Sequence, residues 1–352
     1  MVRAVIADDS GVMREILTEI LEDGGIDVVA STKDGENALE AILEHKPDVA
    51  TIDIDMPRMD GHELIERVMD ERPTPMIVIS ATAGERTEET FEALELGAVD
   101  FFAKPSGEMS IDIWSKREEI TEKVKATAKV DPAALRTPAD GEDAREDASA
   151  VEVDRRFPGE PTLVIGASTG GPKVVERVLA ELPERAGLRI LVVQHMADHY
   201  TGRFAQRLDE RSGYEIREAR ERDRVGPGEG VVAKGGSHLE VTGFHNGEVS
   251  VCHDDGPKRH NVRPAIDVTM ETAARTVTGN LLGVIMTGMG ADGAEGLAAI
   301  KEAGGKAIVQ DEETSRVYGM PKVAAETVEA DMVLPEGRIA EGITNAFRGW
   351  SA

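Results

Sequence analysis

Short apolar segments alternate with helical patterns along most of this chain of 352 residues, and few folds accommodate that alternation. In the first 128 residues, segments 2–7, 26–30, 49–54, 76–79 and 99–102 read as strands. Helical spacing lies near 12–22, 36–45, 62–70 and 86–96, with a last helix after Ile111. Strand–helix–strand units cover both faces of a sheet. The prediction is therefore a flavodoxin-like, doubly wound parallel sheet with its site outside the C-terminal strand ends. The pattern resumes beyond residue 161. Segments 163–165, 190–193, 281–286, 307–309 and 332–334 read as strands, and 173–182, 200–211, 265–278, 294–303 and 338–348 as helices, again an α/β domain with a mostly parallel sheet. Only 214–252 departs from it. Its short segments are separated by Gly226-Pro227-Gly228, Gly235-Gly236 and Asn246-Gly247, and the last pair predicts an antiparallel hairpin excursion.

Between the halves the periodicity is lost. Ala, Pro, Asp and Glu dominate from 130 to 160, with Leu135 the only large apolar side chain between Val130 and Val151. Such a segment cannot bury enough apolar area to offset its ordering entropy and reads as an acidic flexible tether. The expected organisation is one domain over 1–128, a linker over 129–160 and a second domain over 161–352.

The formal charge of −27 argues against nucleic acid as a partner, because phosphate binding needs clustered Lys and Arg. Acidic residues spread over both halves, with arginine outnumbering lysine, suit a salt-rich cytoplasm that screens charge over about 3 Å at 1 M. No apolar run approaches the ~18 residues of a membrane span, so no membrane insertion is expected. The N-terminus opens as a strand without a signal-peptide layout, and Cys252 is the only cysteine, which together point to a cytoplasmic protein.

In the first domain the strand ends carry the polar residues: Asp8 and Asp9, Asp53, Ser80, then Lys104 before Pro105. Either of the first two aspartates could simply cap the helix beginning near Gly11. Three carboxylates gathered at one edge repel one another unless a cation sits among them, and oxygen-only ligands suit Mg²⁺. The segments Asp8-Asp9-Ser10, Asp53-Ile54-Asp55-Met56-Pro57, Ser80-Ala81 and Ala103-Lys104-Pro105 resemble the response-regulator receiver family over roughly residues 1–125. That resemblance implies Asp53 as the phospho-accepting aspartate and Asp8, Asp9, Asp53 and the Asp55 carbonyl as Mg²⁺ ligands. It further implies Ser80 and Lys104 as phosphoryl contacts, Phe101 as the aromatic switch residue and a histidine kinase as phosphodonor.

In the second domain Leu163-Val164-Ile165-Gly166-Ala167-Ser168-Thr169-Gly170-Gly171-Pro172 reads as strand, tight turn and helix, with a hydroxyl at the turn. By itself Gly166-x-Ser168-x-Gly170 fits a nucleophile elbow or a glycine-rich phosphate loop. Two further strand ends bear on the choice. His195 follows 190–193, and Asp292 lies in the glycine-rich turn after 281–286. A dinucleotide loop does not explain His195, whereas Ser, His and Asp at three strand ends suit a hydrolytic triad in an order unlike that of the α/β-hydrolases.

The stretches Ile165–Pro172, Gln194-His195-Met196, Arg263-Pro264-Ala265-Ile266-Asp267 and Thr287–Gly293 resemble the chemotaxis protein-glutamate methylesterase family. Lys234 and His260-Asn261-Val262 depart from that family's pattern in two loops. The resemblance implies hydrolysis of glutamyl methyl esters on methyl-accepting chemoreceptors, and deamidation of receptor glutamines, with no metal in the catalytic domain. In that chemistry His195 is the base for Ser168, Asp292 orients it, and the amides of Thr169 and Met289 hold the oxyanion. The receiver in front is expected to block the Ser168 edge until Asp53 is phosphorylated.

Overall fold

The computed structural model describes residues 1–81, 86–104, 113–135, 157 and 159–350, apart from the side chains of Ser80, Ala81, Arg86 and Ala134. The chain divides into two compact units, Met1–Asp140 and Gly141–Ala352. In the first, Val2–Ala7 (β1), Ile26–Thr32 (β2), Val49–Ile52 (β3), Met76–Ala81 (β4) and Asp100–Lys104 (β5) form one parallel sheet ordered β2-β1-β3-β4-β5. The order reverses between β1 and β3, the switch point at which such sheets open a crevice. Helix Gly11–Asp23 buries Met13, Ile16, Leu17, Ile20 and Leu21, a stripe at helical spacing that packs on the sheet. Ile6, Ile77 and Phe102 meet it from the strands, and Ile120 and Val124 of helix Arg117–Thr127 complete that core.

The second unit contains Thr162–Ala167 (β6), Arg189–Gln194 (β7), Glu215–Glu218 (β8), Asp223–Val225 (β9), Glu229–Val232 (β10), His238–His245 (β11), Glu248–Asp254 (β12), Leu281–Ile285 (β13), Lys306–Gln310 (β14) and Met332–Leu334 (β15). Seven of them pair in parallel in the order β15-β14-β13-β6-β7-β10-β8. The excursion expected over 214–252 is thus only partly antiparallel. β8 and β10 extend the main sheet, while β9, β11 and β12 form a separate antiparallel sheet of three strands. Asn246 and Gly247 take φ values of 54° and 78° and close the β11–β12 hairpin. Helix Met320–Thr327 was not legible in the sequence, because it spans only eight residues and begins between Gly319 and Pro321.

Most of the segment read as a tether, 136–156 and 158, lies outside the described residues. Its flanks are packed. Val130 and Leu135 are buried in the first unit. Phe157, within the expected linker, is buried in the second: its amide donates to Ala186 O at 3.1 Å and its ring stacks on Phe347 with centroids 6.1 Å apart.

Candidate functional site

The first unit gathers its charges at the switch point. Ser10, not an aspartate, caps helix Gly11–Asp23, its Oγ accepting from Met13 N at 3.4 Å. Asp8 Oδ1 accepts from Ser10 N at 2.9 Å, while its buried Oδ2 accepts no hydrogen bond and lies 2.9 Å from Lys104 Nζ. Lys104 Nζ donates to Asp53 Oδ2 at 2.6 Å. Asp8, Asp9 and Asp53 each offer a carboxylate oxygen, all within 4.8 Å of one another. An oxygen-only set of three carboxylates with a single lysine ammonium among them fits Mg²⁺. Asp55 is exposed, and its charge acts on Asp53. The Ser80 side chain lies outside the described residues. Phe101 is buried, with its ring edge-on to Phe91 at 6.1 Å.

Burial dominates the Asp53 carboxyl and pushes its pKa up to about 6; Lys104 pulls it down, and Asp8 and Asp55 add to the rise. Burial also works against the Lys104 charge, but Asp53 and Asp8 outweigh it and raise its pKa. Between the ordinary aspartate value of 3.8 and about 6, the folded chain holds a proton that the unfolded chain has released. Asp53 therefore costs stability as pH rises through that window. A divalent cation favours the ionised form and opposes this. The expected result is a ¹³C-detected titration of Asp53 with its midpoint near 6 in metal-free protein, lowered by at least about one unit at saturating Mg²⁺. A metal-free midpoint below about 4 would show that Lys104 outweighs burial.

In the second unit β6 lies between β13 and β7, with Gly166 opposite Ile285 and Ala167 opposite Gln194. This puts Ser168, His195 and the loop bearing Asp292 at three adjacent strand ends. Backbone bonds fix the turn: Ser168 N donates to Thr287 O at 3.0 Å and His195 N to Ala167 O at 3.1 Å. Gly170 has φ 75°, a left-handed conformation that glycine adopts without strain, and helix Gly171–Glu181 starts behind it. At Gly288 a Cβ would stand 2.7 Å from Ser168 Cβ and 2.5 Å from Met320 Sδ, so this loop abuts the serine and has room for no side chain.

His195 Nε2 lies 2.8 Å from Asp292 Oδ2, which leaves Nδ1 as the ring nitrogen available to a substrate-side group. Asp292 does not cap the helix that follows it, whose N-cap is Gly293. Instead its carboxylate accepts from Ile266 N at 2.7 Å and Asp267 N at 3.0 Å, the first amides of helix Ile266–Thr276. Burial pushes Asp292 up, but the His195 ring and these amides prevail and hold its carboxyl below the ordinary value. Among the described residues Ser168 Oγ makes no hydrogen bond, and the amides of Thr169 and Met289 donate to no acceptor. Two free N–H groups and a hydroxyl at one strand-end cluster can attack a carbonyl and hold the resulting oxyanion.

The sequence assigned no role to the groups that brace this cluster, although Gln194, Asp267 and Thr287 lie in the stretches that carry the resemblance. Gln194 Nε2 donates to Ser168 O at 2.8 Å. Gln310 Oε1 accepts from Thr287 N at 2.8 Å, and Thr287 Oγ1 donates to Thr169 O at 2.9 Å. Both glutamines end apolar strands, the same signal that singled out His195. Buried Asp267 accepts from Gly296 N at 2.6 Å, and His260 Nε2 lies 2.7 Å from its Oδ2. Burial and the neighbouring Asp292 raise the Asp267 pKa against those bonds. His260, Asp267 and Asp292 could in principle share a cation, but amides and imidazoles already occupy the carboxylate oxygens.

The CheB methylesterase family model matches residues 163–343, and the response regulator receiver domain model matches 4–112. A protein-glutamate methylesterase/protein-glutamine glutaminase of Haloarcula marismortui is 50% identical over 360 residues, covering 98% of each chain. Its counterpart in Symbiobacterium thermophilum is 44% identical over 355 residues, covering 98% of this chain and 97% of that one. The crystal structure of the Thermotoga maritima CheB methylesterase catalytic domain matches with a TM-score of 0.50 at 40% identity, covering 53% of this chain and 97% of that one.

Proposed function

The chain belongs to the CheB methylesterase family, and from that membership we propose that it is a protein-glutamate methylesterase and protein-glutamine glutaminase under the control of its own receiver domain. The observation that carries the chemistry is the 2.8 Å contact between His195 and Asp292 beside a serine hydroxyl at the adjacent strand end. His195 takes the Ser168 proton on Nδ1, the nitrogen not turned to Asp292, and Oγ attacks the ester carbonyl of a methylated glutamyl side chain. Asp292 stabilises the imidazolium that forms. The Thr169 and Met289 amides hold the oxyanion, each worth about 3–4 kcal/mol in comparable hydrolases. Methanol leaves, and water then releases the glutamate from Ser168. An amide follows the same route with ammonia as leaving group, which accounts for deamidation.

The substrates are methyl-accepting chemoreceptors, and a chemotaxis histidine kinase supplies the phosphoryl group to Asp53. Asp8, Asp9, Asp53 and the Asp55 carbonyl would hold Mg²⁺, which offsets negative charge on carboxylate and phosphoryl donor. Lys104 and Ser80 contact the transferred group, and Phe101 repacks with it. A surface with net charge −27 suits a salt-rich cytoplasm. Among the described residues no helix is long and apolar enough to cross a membrane.

Methanol release from methylated chemoreceptor membranes, with and without a small-molecule phosphodonor, tests the whole reading. The unphosphorylated receiver is proposed to restrict receptor access to Ser168. A chain lacking residues 1 to about 150, cut so as to keep Phe157 against Phe347, should then release methanol faster than the unphosphorylated full chain. A folded truncation that is no faster would mean that the receiver activates by organising the site.

A further inference from the structure

Arg316 stands between β14 and helix Met320–Thr327, with its stem against the Ser168–Gly170 turn. A Cβ on Gly170 would come within 2.6 Å of Arg316 Cβ and 2.8 Å of its Cγ. Neighbouring backbone fixes the segment there: Val317 N donates to Thr287 Oγ1 at 2.9 Å, and Gly288 N donates to Val317 O at 3.0 Å. Several other arginines of this acidic chain, such as Arg67, Arg217 and Arg259, are paired with carboxylates. Arg316 differs. Among the described residues nothing accepts a hydrogen bond from its guanidinium and no carboxylate forms an ion pair with it. Glu336 acts on it only at longer range and is itself held by Arg177 at 2.9 Å. Burial meanwhile pushes the Arg316 pKa down, so its charge sits partly desolvated and without a close counter-ion.

We propose that Arg316 is a substrate-recognition residue that takes the carboxylate of an unmodified acidic side chain flanking the target glutamyl group. This rests on the esterase reading above. The target itself is a neutral ester or amide and offers a guanidinium little, whereas a carboxylate matches the planar fork in a two-point contact. On a helical substrate a residue three or four positions away lies on the same face, about 5–6 Å from the target, within reach of a side chain seated against the nucleophile turn. The chain's net negative charge repels an acidic substrate at long range. A partly desolvated cation whose stem lies against the nucleophile turn at Gly170 supplies local attraction that salt screens less than it screens an exposed pair.

The test uses the full chain with phosphodonor and two helical peptides, each with one glutamyl methyl ester. One carries Glu at the positions four residues before and after the ester; the other carries Gln there. Wild-type protein should favour the acidic peptide in kcat/KM by about tenfold. Arg316→Ala and Arg316→Gln should raise KM for that peptide by about tenfold with kcat nearly constant, shift the neutral peptide less than about twofold, and so remove the preference. Arg316→Lys should retain part of it. Equal losses on both peptides, a fall confined to kcat, or a wild-type protein that does not discriminate would each overturn the role of Arg316 while leaving the esterase intact. The wild-type comparison holds even if a variant fails to fold. No methanol from either peptide with wild-type protein would instead overturn the esterase reading, and this inference with it.

Discussion

Ser168→Ala is expected to reduce methanol release from methylated receptor by a factor on the order of 10⁴–10⁶, leaving the fold intact. The hydroxyl makes no hydrogen bond among the described residues, so its removal strands no buried partner. His195→Ala should cost about as much, and Asp292→Asn on the order of 10⁴, because an orienting carboxylate is worth less than the base it orients. Combining either with Ser168→Ala should add almost nothing, since the three groups act in one proton transfer. Additive losses would mean that one of them is only structural. Asparagine is the sharper choice at 292. Alanine would leave both the Ile266 and Asp267 amides without an acceptor, a folding cost of ~1–3 kcal/mol that would blur the kinetic result, whereas asparagine keeps an acceptor for one of them.

Asp53→Asn should bring acid-labile phosphate incorporation to background and abolish stimulation by phosphodonor, while the unstimulated esterase rate persists. Asparagine keeps the shape beside Lys104 but lacks the anionic oxygen that attacks phosphorus, and Lys104 retains Asp8 as its partner at 2.9 Å. The neighbours do not substitute. Asp8 Oδ1 is committed to the Ser10 amide, and Asp9 is exposed beyond the end of β1. Both observables belong in one experiment. Stimulation that survives without incorporated phosphate would remove Asp53 from the control pathway, whereas phosphate that persists would move the acceptor to another residue.

Much of this molecule could be read before any coordinates. Continuous apolar runs in alternation with helical stripes encode a sheet buried on both faces, because burial of each element is a local property of its own periodicity. The same runs show where strands end, and so place Asp8, Asp53, Ser168 and His195 at C-terminal edges. Strand order is not a local property. That β8 and β10 join the parallel sheet while β9, β11 and β12 leave it depends on which neighbours cover their short faces, and nothing within four residues of sequence records that. Loop geometry is still less local. Only the folded chain decides that Asp292 rests on the first amides of helix Ile266–Thr276, that His195 turns Nε2 to it, and that Phe157 packs on Phe347. The same holds for Arg316, which is separated by some 150 residues of chain from the turn it lies against. Periodicity specifies which surfaces must be buried; contacts between distant segments specify what meets at the site, because they form only when every element has taken its place.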